Sequence, residues 1–128
     1  MLPPSDSSYL DNRGFRWAAS QEQGVVCLVI FDFQLPPGFS ASVADLLIHL
    51  PAGYPDTPLD MWWFSPRLTR ADGSVIPATE SSGTYLGREW QRWSRHFASG
   101  QWRPGVDSIE TYLARIRADL CSSVRVAS

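Results

Sequence analysis

A chain of 128 residues makes one domain with a substantial core but is too short for two independent ones. Its 11 basic and 13 acidic residues leave a net charge of −2, which excludes a general attraction to nucleic acid or to an anionic membrane and confines any basic patch to a local surface. No apolar run reaches membrane-spanning length, the first residues lack the charged and apolar regions of a signal peptide, and Cys27 and Cys121 show neither a disulfide framework nor zinc spacing. A cytoplasmic protein without metal or cofactor is expected.

In chain order, residues 1–8 are polar and proline-bearing and should fray, with a single helical turn over 9–14 closed by Gly14. Phe15, Trp17 and Ala19 alternate with Arg16 and Ala18, a short strand leading into a turn over 21–24. Residues 25–33, VVCLVIFDF, are the strongest strand. They are β-branched and aromatic and apolar on both faces up to Asp32, so the strand should be central and covered on both sides.

Pro36, Pro37 and Gly38 break the sheet, and residues 43–50 resume it with Ala44, Leu46, Ile48 and Leu50 on one face and Asp45, Leu47 and His49 on the other. His49 reads as a structural hydrogen-bonding residue before a catalytic one. A proline-rich loop follows, then a short aromatic strand over 61–64. Strands joined by connections too short for crossover helices make an antiparallel meander. Residues 67–85 lack periodicity and are expected to run irregularly over the surface. The helix over 107–120 has Asp107 as N-cap with Glu110 three residues on, an apolar stripe of Ile109, Leu113, Ile116 and Leu120, and Arg115 and Arg117 toward its end, where they would complement the dipole. The tail beyond it should be disordered or a connector.

Function is expected to concentrate in residues 88–105, REWQRWSRHFASGQWRPG. Trp90, Trp93 and Trp102 are large apolar anchors, and Arg88, Arg92, Arg95 and Arg103 are permanently charged forked donors. Two conformations remain open. Leu86, Trp90, Trp93 and Phe97 have the spacing of a helical stripe; an extended chain would instead put Ser94 and His96 on one side. All 11 basic residues are arginine and lysine is absent. Arginine-rich codon usage accounts for that, and so would the handling of an amine-reactive intermediate.

Tyr54-Pro55-Asp56-Thr57-Pro58 resembles the Tyr-Pro-x-x-Pro segment of ubiquitin-conjugating enzymes, and Trp102-Arg103-Pro104 followed by the 107–120 helix resembles their Trp-x-Pro and helix. With LPPGF and WQRWSRH, the chain is most similar to family E of the prokaryotic ubiquitin-conjugating-like proteins, over about residues 9–120. The resemblance implies an α+β, ubiquitin-conjugating-like fold: one domain over 1–128, ordered over about 9–120, with an antiparallel meander of three to four strands, an irregular active-site segment and a C-terminal helix packed on the sheet. It further implies a ubiquitin-like protein, an adenylating (activating) enzyme and an isopeptidase as partners, and no cofactor. Nucleic acid and membrane are not expected partners.

The cysteine that classical ubiquitin-conjugating enzymes carry about eight residues before this Trp is missing: the residue eight before Trp102 is Ser94, and the positions of their His-Pro-Asn fall near Thr84, Tyr85 and Leu86. The resemblance therefore implies that Ser94 takes the ubiquitin-like carboxyl terminus as an oxyester, with His96 as the base a hydroxyl needs and Arg95, Gln91 or Arg103 supplementing backbone N–H groups at the oxyanion. Alternatively the chain is a non-catalytic binding module in which Trp90, Arg92, Trp93 and Trp102 contact a partner. A purely structural domain docked to the activating enzyme is a third reading.

Overall fold

The computed structural model describes residues 1–96 and 100–124; Phe97 of the helical-stripe reading and the last four residues of the tail lie outside them. Among the described residues the chain forms α1 (Pro4–Asn12), β1 (Trp17–Glu22), β2 (Val25–Gln34), β3 (Val43–Leu50), β4 (Trp62–Ser65), β5 (Ser82–Tyr85), β6 (Arg88–Trp93) and α2 (Ile109–Ser123). The six strands form one antiparallel sheet in the order β1-β2-β3-β4-β6-β5.

The meander expected from the sequence is present as β1 to β4, with β2 internal as its composition demands. The expected count of three to four strands is corrected to six, because residues 82–93 fold back as a hairpin whose second strand pairs with β4: Trp62 lies opposite Trp93 and Phe64 opposite Gln91. The excursion after Pro66 therefore ends at Ser82 and the tryptophan-rich segment is a strand. The β1–β2 and β5–β6 connections are two-residue turns, Gln23-Gly24 and Leu86-Gly87, with all four φ values positive, the conformation whose twist matches the flanking strands. So β1 runs through Glu22, past the start of the turn expected over 21–24.

The sheet curls, and its two faces bury two apolar clusters. On one, α2 packs Ile109, Leu113, Ile116 and Leu120 against Leu28, Ile30, Phe33, Leu46, Ile48, Trp62, Phe64 and Trp93. The other holds Cys27, Val29, Leu47, Trp63 and Trp90. It is closed by an edge-to-edge contact in which the Leu86 N–H donates to the Glu22 carboxylate at 3.0 Å, joining the β5–β6 turn to the end of β1. Strand β6 threads both clusters, since alternation sends Trp90 to one face and Trp93 to the other.

Three local expectations are corrected. Residues 4–12 are a helix rather than a frayed lead, held by Leu10, which is fully buried, and by Asp6, whose carboxylate accepts from the Tyr54 hydroxyl at 2.7 Å and from the Ile109 N–H at 3.3 Å. At the head of α2 the capping residue is Ser108, whose N–H donates to Thr111 Oγ1 at 2.9 Å, while Asp107 accepts from the Arg103 N–H at 2.7 Å and closes the preceding turn. No basic residue occupies the last turn of α2; Arg115 donates instead to the His96 carbonyl at 3.1 Å, and Arg117 lies over Phe33 at 5.3 Å.

The segment between β4 and β5 is irregular but tied down. Gln91, only 3 % exposed, accepts from the Leu68 N–H at 3.0 Å and from the Trp93 indole at 2.9 Å, and donates to the Leu68 carbonyl at 2.9 Å. Arg67 adds two bonds, to the carbonyls of Thr79 and Glu80. Truncating Gln91 to alanine strands three buried polar groups at once, and the expected loss of unfolding free energy is about 3 kcal/mol. Urea denaturation of Gln91→Ala measures it; a loss below about 1 kcal/mol would mean that water replaces the amide without penalty.

Candidate functional site

After Trp93 the chain continues beside the segment that precedes β4. The Met61 N–H donates to the Arg95 carbonyl at 3.0 Å, one step beyond the Trp62–Trp93 pair, and the Ser94 N–H donates to the Ala78 carbonyl at 3.0 Å. Ala78 carries a positive φ of 59°, a left-handed backbone unusual for a residue with a Cβ, directly against Ser94. Both Trp93 and Arg95 face α2: the indole is fully buried in that core, and the guanidinium lies over it at 5.0 Å and meets Asp119 at 3.0 Å. The Arg95 N–H also donates back to the Trp93 carbonyl at 3.0 Å, so the chain turns at Ser94 and the strand's alternation ends with β6.

His96 is exposed, and its Nδ1 stands 2.6 Å from Asp60 Oδ1. A carboxylate on Nδ1 fixes the ring and leaves Nε2 as the nitrogen able to take a proton. Sequence reading did not reach Asp60, which lies 36 positions away and meets His96 only because the strand pairing continues past β4. Ser94 is half-buried; among the described residues no hydrogen bond joins its hydroxyl to the His96 ring.

The other expected site residues divide clearly. Gln91 is occupied by Leu68 and Trp93, and Arg95 by Asp119 and the Pro77 carbonyl at 2.9 Å, so both amide and guanidinium hold the segment in place. Arg103 is exposed. Trp90 and Trp93 are fully buried and Trp102 is 8 % exposed, so in this conformation the three indoles are packing residues and offer little surface to a partner. Arg92 is half-buried, with one guanidinium nitrogen 3.3 Å from the Ser81 hydroxyl. Thr84, Tyr85 and Leu86 belong to the far end of the β5–β6 hairpin: Thr84 pairs with Glu89, five strand positions or roughly 17 Å from Ser94 along β6, and Tyr85 and Leu86 lie beyond it.

The two motifs that prompted the family resemblance meet in space. The Trp102 indole N–H donates to the Pro55 carbonyl at 2.8 Å, and its ring packs 6.2 Å from Tyr54 and 6.4 Å from Tyr112. Of the two described cysteines, Cys27 is sealed in the second cluster, where burial and then the Glu22 charge push its thiol up, and Cys121 is exposed on α2. No group of three or more His, Cys, Asp or Glu suited to a metal ion occurs among the described residues, and none of their helices is long and apolar enough to cross a membrane.

His49 sits opposite Cys27 on β3, its ring 4.6 Å from Tyr85 and 5.6 Å from Trp63, with Nε2 buried and unpartnered among the described residues. Burial lowers its pKa from 6.5, against an opposing pull from Glu22. Above pH 6.5 the imidazole is neutral folded and unfolded, and its contribution is full; as pH falls through 6.5 the unfolded chain takes up a proton that the folded one resists, and stability drops. Melting temperature followed from pH 7.5 to 5.5 should therefore fall more steeply for the native protein than for His49→Phe. Parallel curves would remove His49 from the pH dependence.

A family model described as prokaryotic E2 family E matches residues 2–123. No curated protein and no solved structure matches the chain.

Proposed function

The chain belongs to prokaryotic E2 family E, whose members are ubiquitin-conjugating-like carriers working with a ubiquitin-like protein and its activating enzyme, and from that premise we propose that its acceptor atom is the Ser94 hydroxyl oxygen. The observation that carries this reading is the Asp60–His96 pair at 2.6 Å, a base with its orienting carboxylate two residues from a hydroxyl where cysteine-bearing relatives hold a thiol. In the proposed step Ser94 Oγ attacks the carbonyl carbon of the ubiquitin-like protein's C-terminal thioester on the activating enzyme, and its proton passes to His96 Nε2. Collapse breaks the carbon–sulfur bond, the imidazolium returns the proton to the leaving thiolate, and an oxyester remains on Ser94. ATP is consumed by the activating enzyme alone, and an isopeptidase of the same pathway would reverse the final conjugation. A sequence without lysine supports the reading, since such a carrier has no side-chain primary amine to intercept its own ester.

A second reading, a non-catalytic module presenting a ubiquitin-like protein or activating enzyme, is favoured by one feature: Gln91 and Arg95, the side chains nearest an oxyanion by sequence, are consumed by the fold. Covalency separates the two. Incubated with its activating enzyme, ubiquitin-like protein and ATP, the protein should gain a mass-shifted adduct that survives thiol reductant and yields to hydroxylamine. Ser94→Ala should abolish it, and Ser94→Cys should convert it to a reductant-sensitive thioester. His96→Ala should slow its formation by about 100-fold or more. No adduct with an authentic partner set, or an undiminished adduct on Ser94→Ala, leaves the binding module.

A further inference from the structure

On the β1–β2 side of the molecule, Arg13 at the end of α1, Arg16 ahead of β1 and Arg117 of α2 line one open groove of about 550 Å³ together with Tyr9, Phe15 and Phe31. Each guanidinium lies over a ring: Arg13 over Tyr9 at 5.5 Å, Arg16 over Phe31 at 4.8 Å, and Arg117 over Phe15 at 5.8 Å and Phe33 at 5.3 Å. Stacking of this kind holds the guanidinium plane while its N–H edges stay open to an acceptor.

The groove contains one carboxylate, Asp32. It sits at the irregularity in the β2–β3 ladder with a φ of 51°, its N–H bonded to Asp45 at 2.9 Å, and that turn of the backbone brings its carboxylate to Arg16 at 2.7 Å. The guanidinium groups of Arg13 and Arg117 have no ion-pair or hydrogen-bond partner among the described residues. Two uncompensated cations over aromatic rings thus face solvent on a chain whose net charge is −2.

We propose that this groove docks an acidic segment of a partner protein, with its carboxylates on Arg13 and Arg117 and its apolar side chains on the rings of Tyr9, Phe15 and Phe31. Arg13 and Arg16 stand at the two ends of the α1–β1 connection and Arg117 on α2, and no two of the guanidiniums share a ring. That arrangement suits several carboxylates along a chain better than one phosphoryl group, which calls for donors converging on a point. Arginine with aromatics is also the composition that dominates protein–protein contacts. In the sheet, β2 lies three strand spacings from β6, roughly 14 Å, so an occupant leaves Ser94 uncovered and the proposal does not rest on the transfer reading.

The test titrates the isotopically labelled protein at low ionic strength with a short fluorescein-labelled peptide alternating glutamate and phenylalanine, read by amide shifts and by anisotropy. The expected result is saturable binding, with shifts centred on Arg13, Gly14, Gln34 and Arg117, weakened about tenfold or more by Arg13→Glu and by Arg117→Gln, and no binding of a glycine–serine peptide. Arg13→Glu touches an exposed side chain, so a well-dispersed amide spectrum separates lost binding from lost fold. Absence of saturable binding, shifts elsewhere, or unchanged affinity in both variants overturns the proposal. Pyrophosphate that binds the groove and is not displaced by the peptide overturns it too, in favour of a small-anion site.

Discussion

The position of the Ser94 hydroxyl depends on the buried amide of Gln91. By accepting from Leu68 and Trp93 and donating back to Leu68, it welds the irregular connection after β4 onto β6 at the point where β6 ends. Residues 76–80 can then lie alongside the chain leaving the strand, with Ala78 opposite Ser94 and Pro77 opposite the Arg95 guanidinium. Arg95 in turn ties the segment to Asp119 of α2. Neutral and charged hydrogen bonds inside a mostly apolar wall are costly to break singly, because each release leaves a desolvated group behind. The segment is tied by hydrogen bonds up to the residue proposed as the acceptor, and Gln91 and Arg95, its near neighbours in sequence, are the ones fixing its place.

A second polar hub does the same on the opposite flank. Asp6 joins the Tyr54 hydroxyl to the first N–H of α2, and the Trp102 indole reaches the Pro55 carbonyl, so α1, the proline-rich loop, the Trp-Arg-Pro corner and the helix start share one set of contacts. The carboxylate raises the pKa of the Tyr54 hydroxyl, as burial does more strongly, and the phenol stays a donor. Together the two hubs hold both ends of the connection between β6 and α2.

Elements stabilised by their own patterns were legible in the sequence. β2 and β3 follow from apolar β-branched runs, and the α2 stripe of Ile109, Leu113, Ile116 and Leu120 is wholly buried as its spacing requires. Where tertiary partners decide, the pattern misled. Trp90 and Trp93 fit helical spacing equally well; they belong to a strand because the sheet has two buried faces and each takes one of them. α1 is a helix on the strength of one buried leucine and a carboxylate whose partners lie 48 and 103 positions away, which no local window contains. The candidate site divides the same way. Motif spacing led to Ser94 and His96, but Asp60 became visible only through the pairing of the residues beside β4 with those beyond β6.

The arginine-only composition has a physical content apart from codon usage. Arg67 spans the carbonyls of Thr79 and Glu80, Arg70 those of Ser123 and Val75, Arg88 the Asp45 carboxylate and the Ser65 hydroxyl, and Arg95 the Asp119 carboxylate and the Pro77 carbonyl. Each is a planar fork bridging two acceptors on different residues, a geometry that a lysine ammonium on a flexible stem satisfies poorly. A lysine at any of these positions would loosen a joint of the scaffold, because one ammonium on a flexible stem holds two such acceptors poorly. For a fold that clamps its irregular loops with guanidinium forks, stability alone selects arginine over lysine at these joints.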